Sequence, residues 1–204
     1  MNTKTSLVLL LLATVLTVAG CSGVPFSTLW HFRNFGPRDL LKTDPAMIRA
    51  AVQVKDGVNV DTRTAALDVQ IAFANEAPRK FSLPLVMLRK GPWVGAGTGK
   101  AEHGKHWYLF ALSPEGVQSF RGMQQYLGRH LDDKGQFKQH GKVNVSVSSG
   151  RFHLNDATTQ RVKDSHELFM QVRLELSPRD GFYTLYKGTI PVTAKDLKAM
   201  SEQE

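Results

Sequence analysis

The sequence of 204 residues contains a single cysteine, Cys21. Once that thiol is used, no disulfide, thiolate metal site or cysteine nucleophile remains, and the fold must be held by its core alone. Serine is absent from the Gly-x-Ser-x-Gly and Ser-x-x-Lys settings in which it becomes a nucleophile. Beyond residue 20 there is no apolar run of membrane-spanning length, no internal repeat and no low-complexity tract. Acidic side chains are scarce in one region. Residues 79–142 carry 11 Lys and Arg against 4 Asp and Glu, whereas 21–78 carry 6 of each sign and 143–204 carry 8 of each.

Met1 to Thr5 holds one lysine, Ser6 to Val18 is an almost unbroken apolar run, and small residues follow. That is the layout of an export signal. The stretch Leu16-Thr17-Val18-Ala19-Gly20-Cys21 resembles the lipobox of bacterial lipoproteins. The resemblance implies that residues 1–20 are a signal peptide and that Cys21 becomes the first residue, bearing a diacylglycerol and an acylated amino terminus with palmitate-type chains. It also implies a place in the bacterial cell envelope. Ser22, where inner-membrane retention would use aspartate, implies an outer-membrane lipoprotein facing the periplasm. Several acyl chains anchor firmly where one binds marginally. Cleavage leaves 184 residues with 25 basic and 18 acidic side chains, a net charge of +7 with histidines neutral and a length suited to one core.

Residues 21–47 read as a lipidated tether and entry segment, broken by Pro25, Gly36-Pro37 and Asp44-Pro45. Leu29, Trp30, Phe32 and Phe35 are costly to leave in water and are expected to pack on the body. Period-two alternation follows through Ile48, Ala50, Val52 and Val54, and again through Leu67, Val69, Ile71 and Phe73, which marks strands with one wet face. Residues 80–88 continue as a strand that Pro84 assigns to an edge or a bulge. His106 to Leu112 is apolar on both faces and fits a central strand, and Val143, Val145 and Val147 alternate with polar residues. Leu168 to Leu176, Pro178-Arg179-Asp180-Gly181 and Phe182 to Tyr186 form a hairpin. Ser113-Pro114-Glu115 opens a helix over about 114–131, with Val117, Phe120, Met123, Tyr126, Leu127 and Leu131 as its apolar stripe. The expected fold is mainly β, of the α+β class: one domain over 48–192, either an antiparallel β-sandwich or a curved sheet of about seven strands with that helix packed on it. Residues 193–204 form a tail with a short helix opening at Thr193. The layout as a whole resembles that of other small proteobacterial lipoproteins, a likeness that supplies a location and no activity.

Val94-Gly95-Ala96-Gly97-Thr98-Gly99-Lys100-Ala101 invites comparison with a phosphate loop. Such a loop needs glycine where Val94 stands, a hydroxyl where Ala101 stands, and a helix directly after the lysine. A glycine-rich connection between strands, with no nucleotide, is expected instead. Glu102, His103 and His106 are the one set of possible metal ligands, but histidines three apart on a strand point to opposite faces, and no metal or other cofactor is assigned. Asp132-Asp133 reads as a solvated helix exit. No catalytic residue emerges and no enzyme is inferred. Arg89, Lys90, Lys100 and Lys105, in the basic middle segment, are the candidate anion-binding residues. The reading that follows is an accessory or binding protein of the envelope, attached to the membrane through Cys21 and engaging an anionic envelope component or a protein partner rather than nucleic acid. Its alternatives are a metal-binding or hydrolytic enzyme whose groups converge only on folding, and a structural subunit of an envelope complex.

Overall fold

The alternating segments become strands because each can bury one side only. In the computed structural model, which describes residues 37–95, 97–138, 141–148 and 152–201, the strands are β1 (Arg49–Lys55), β2 (Val58–Val60), β3 (Ala66–Phe73), β4 (Arg79–Gly91), β5 (Lys105–Leu112), β6 (Gly141–Ser148), β7 (Phe152–Leu154), β8 (Glu167–Glu175) and β9 (Tyr183–Pro191). The signal segment, Cys21 and the aromatic tether residues lie outside the described residues. Seven strands form one antiparallel sheet in the order β6-β3-β4-β5-β1-β8-β9, and β2 pairs with β7 in a separate ribbon. The fold is thus mainly antiparallel β with helices, and of the two expected arrangements it takes the single curled sheet. β5 is central between β4 and β1, and β8 and β9 form the expected hairpin.

Among the described residues four α-helices accompany the sheet: α1 (Pro37–Lys42), α2 (Pro114–Arg129), α3 (Asp156–Ser165) and α4 (Ala194–Ser201). Only α2 and the tail helix α4 are legible in the sequence. The Ser113 side chain caps α2 by accepting from the Gly116 amide at 3.1 Å, and Pro114 occupies the first turn, where an amide hydrogen is dispensable. Phe120, Met123, Tyr126 and Leu127 are buried against the inner face of the sheet, in one cluster with Val52, Ile71, Leu83 and Phe110. Gly116 permits the close approach of helix to strand, since a Cβ there would lie 2.3 Å from the Pro84 carbonyl oxygen. At the other end of α2, the Gln124 amide donates to the carbonyls of Leu40, Leu41 and Thr43, which ties α1 to the helix.

Pro84 corrects one expectation, because β4 is an interior strand. Residues Arg79 to Pro84 pair with β3, Leu85 to Gly91 pair with β5, and Pro84 stands where the strand changes partners. Its missing amide hydrogen costs no ladder bond at that point, while its carbonyl accepts from Ser113 at 2.9 Å. A bulge does occur in this strand, but beyond the proline, between Met87 and Arg89. From residue 86 onward β4 pairs with β5 alone, so this half of the strand is locally an edge.

Candidate interaction surface

The four cations singled out in the sequence are not gathered in one place. Register puts Arg89 opposite Leu109, on the outer face, and Lys90 opposite Tyr108, on the inner face. Lys90 Nζ donates to Asn59 Oδ1 at 2.8 Å and sits 5.0 Å above the Tyr108 ring. Lys105 Nζ donates to Glu102 Oε2 at 2.5 Å and lies 3.4 Å from the centroid of Phe169, so its charge is met within the fold. Arg89 and Lys100 are exposed and make no ion pair among the described residues.

What gathers around Arg89 and Lys90 is apolar. Among the described residues the exposed large hydrophobic side chains are Met47, Val86 at 45%, Met87 at 40%, Leu88 at 51% and Trp93 at 54% exposure. Four of these five lie in the eight-residue stretch 86–93, at the bulged edge of β4 and the start of the loop after it. Val86 shares the outer face with Ala111, Met87 shares the inner face with Phe110, and Leu88 stands at the bulge between them. The hydrophobic surface therefore wraps around an edge of the sheet. Residues 77–101 contain five Lys or Arg and no Asp or Glu. A ridge with exposed apolar side chains at four of eight successive positions, interspersed with the exposed Arg89, is the feature least expected on a surface that only has to stay soluble. Period-two alternation predicts a polar residue at every second position of β4 and fails here, and that failure is the signal by which the ridge could have been found.

The glycine-rich loop, residues 92–104, runs from β4 into β5 and folds back over the outer face. Gly97 has φ +87°, and a Cβ on it would lie 3.2 Å from the Phe182 ring, so the loop needs glycine there for both backbone and contact. Arg173 on β8 donates through Nη1 to the carbonyls of Gly97 and Thr98, at 3.2 and 2.7 Å. Glu102 bridges Lys105 and Lys187, whose hydrogen bonds hold its carboxyl down at about 2. Beneath the loop lie Trp107 and Ala51, and beside them Gln53 and Gln171, only 2% and 3% exposed. With the Gln171 amide oriented to satisfy its neighbours, its nitrogen donates to Gln53 Oε1 at 3.3 Å and its oxygen accepts from Arg173 Nε at 3.0 Å. Arg173 also lies over the Trp107 ring at 5.3 Å, and burial pulls its guanidinium below the usual value. The loop's carbonyls are thus engaged by a protein cation, and a strand rather than a helix follows Lys100.

Of the possible metal ligands, His103 is exposed, Glu102 is held by two lysines, and His106 Nδ1 lies 2.9 Å from Asp56 Oδ1. The far nitrogen of His106 and the indole nitrogen of Trp107 are buried without a hydrogen-bond partner. Among the described residues no three His, Cys, Asp or Glu side chains come together as a metal site. A polar cluster that the sequence does not announce closes the opposite end of α2. Glu76 accepts from the Tyr126 hydroxyl at 3.0 Å and faces His130 Nε2 at 2.9 Å, while His130 Nδ1 faces the Tyr126 carbonyl at 2.8 Å. Phe73 stacks on His130 at 4.2 Å. The His130 bond, and after it the Tyr126 bond, hold the Glu76 carboxyl below its ordinary value. Tyr126 is shifted up, first by burial and then by Glu76. Both imidazole nitrogens face acceptors, which joins the β3–β4 turn to α2.

Comparison with known protein families, curated proteins and solved structures finds no match. No helix among the described residues is long and apolar enough to cross a membrane.

Proposed function

We propose that the chain is a lipid-anchored, non-enzymatic binding or assembly-accessory protein of the bacterial envelope, held by Cys21 and presenting the ridge at Val86–Trp93 to an anionic envelope component. The observation that supports this reading is the pairing of exposed apolar side chains with the exposed cations Arg89 and Lys100 in a stretch with no acidic residue. Apolar area supplies contact energy, and the uncompensated positive charge selects anionic partners and speeds encounter. An apolar patch with a polar rim also fits the second reading, a subunit interface within an envelope complex.

Salt separates the two. Exposed charges are screened over about 8 Å at physiological ionic strength, so ridge binding to an anionic surface weakens as salt rises, whereas an apolar subunit contact does not. The soluble chain beginning at Ser22 is expected to sediment with phosphatidylglycerol vesicles, or with lipopolysaccharide, in preference to phosphatidylcholine vesicles, and to be released by salt. Equal binding to charged and neutral surfaces overturns the anionic reading. The anchor is tested separately: Cys21→Ser is expected to abolish labelling by an alkyne fatty acid, and persistent labelling refutes the assignment.

A further inference from the structure

We infer that the ridge is a membrane-contact edge, seated in the headgroup region of the anionic bilayer that holds the anchor, so that the body lies on lipid. The inference rests on the anchored-binding reading and names its partner.

Three properties of the ridge point to lipid over a protein strand. First, Val86 and Met87 project to opposite faces and Leu88 stands at the bulge between them, so the apolar surface surrounds an edge that can dip into a fluid interface. A flat protein partner would meet one face only. Second, Trp93, Leu88, Met87 and Val86 beside the exposed Arg89 have the composition of an interfacial segment, in which the rings and aliphatic groups enter the acyl boundary and the long cationic side chain reaches phosphates. Third, cations and a bulge at an open strand edge discourage addition of a further strand, whereas the hydrated headgroup layer can still satisfy the edge's unpaired amides and carbonyls.

Reach is not limiting. Residues 21–36 are sixteen in number and span at most ~50–60 Å, so a lipidated Cys21 keeps the ridge within range of the same leaflet. Tethering raises the effective concentration of the surface to the millimolar range, at which a patch too weak to hold the free protein becomes a useful second contact.

The test uses the acylated full chain reconstituted in vesicles. Because acylation consumes Cys21, Leu88→Cys supplies the only free thiol, and mass spectrometry of the labelled product reports acylation of Cys21 independently. An environment-sensitive dye at position 88 is expected to shift to the blue in phosphatidylglycerol-containing vesicles relative to pure phosphatidylcholine, to lose several-fold of its quenching by aqueous iodide, and to revert as salt is raised. Gln125→Cys, on the exposed side of α2, is expected to give a dye that responds to neither lipid. As a second readout that leaves residue 88 intact, the wild type minus Trp93→Phe difference is expected to be quenched by brominated lipid in the anionic vesicles. A dye at 88 as accessible as that at 125, or one responding equally to both lipids, overturns the membrane-contact edge. Binding of the chain to lipopolysaccharide or glycan with no change at 88 or 93 also overturns it, but leaves the anchored-binding reading in place.

Discussion

The two faces of the sheet are buried to a similar depth by different means. On the inner face Val52, Ile71, Leu83 and Phe110 meet the stripe of α2, and the core of the contact is apolar. On the outer face Gln53 and Gln171 are buried as completely, beside a smaller cluster in which Val94 and Ala101 of the glycine-rich loop pack on Ala51 and Trp107. There Arg173 grips two loop carbonyls and Glu102 reaches Lys105 and Lys187. A cover built from hydrophobic area is insensitive to salt and fails with the whole core, whereas one built from charge-assisted hydrogen bonds can open locally while the core stands. Between the two faces, where neither cover reaches, lies the ridge.

Substitutions that respect this division are expected to have graded effects. Phe120→Ala removes a buried ring from the inner contact and is expected to cost ~3–5 kcal/mol, against less than ~0.5 kcal/mol for the exposed neighbour Arg121→Ala. Equal urea midpoints for the pair would mean that the buried face of α2 is wrongly assigned. Gly116→Ala drives a methyl into the Pro84 carbonyl and is expected to cost ~1–3 kcal/mol in spite of the better helix propensity of alanine. A neutral or stabilised variant would show that α2 has room to move away from β4.

On the outer face, Arg173→Ala is expected to lower global stability by only ~1–2 kcal/mol, with amide exchange rising first at residues 97–101. Exchange rising equally across β1 and β5 would show that the loop and the core open as one. The smallest effect is one of acid sensitivity. The folded Glu76 carboxyl lies below its ordinary 4.5, so its contribution is full above that pH and is lost as pH falls through the folded value. Glu76→Gln is therefore expected to lower the urea midpoint modestly at neutral pH, to approach the wild type in acid, and so to flatten the acid limb below about pH 4.5. An acid limb parallel to that of the wild type would assign the loss to other carboxylates.

The strands that alternate were legible in the sequence, as were the capped start of α2 and the hairpin between β8 and β9, because each is encoded by neighbours within a few residues. Helix α3 was not. Its sequence buries only Thr158 and Val162 and so carries no stripe, although Asn155 caps it by accepting from the Thr158 amide. The ribbon of β2 with β7 has three residues on each strand, too few for a period. Pro84 misled because a strand that exchanges neighbours midway tolerates proline as well as an edge does. At the candidate surface the absence of the phosphate-loop positions was readable, but the grip of Arg173 on that loop spans 76 residues to Gly97 and has no local trace. The basic excess was visible as composition, whereas its division between two faces and its partner, the exposed apolar run, depended on register.

The register of β1 has a consequence for how the chain is made. This strand lies between β5 and β8, with Val52 opposite both Tyr108 and Val172. A chain that emerges amino terminus first can pair β1 with β5 once about sixty residues have followed, but its other side stays open until β8 arrives some 120 residues after it. Long-range strand pairing of this kind is slow and leaves intermediates with an adhesive flank. The nascent domain would therefore depend on assistance against self-association until about its last fifth is delivered, and truncations that stop before Glu167 should accumulate as aggregates rather than as smaller folded bodies.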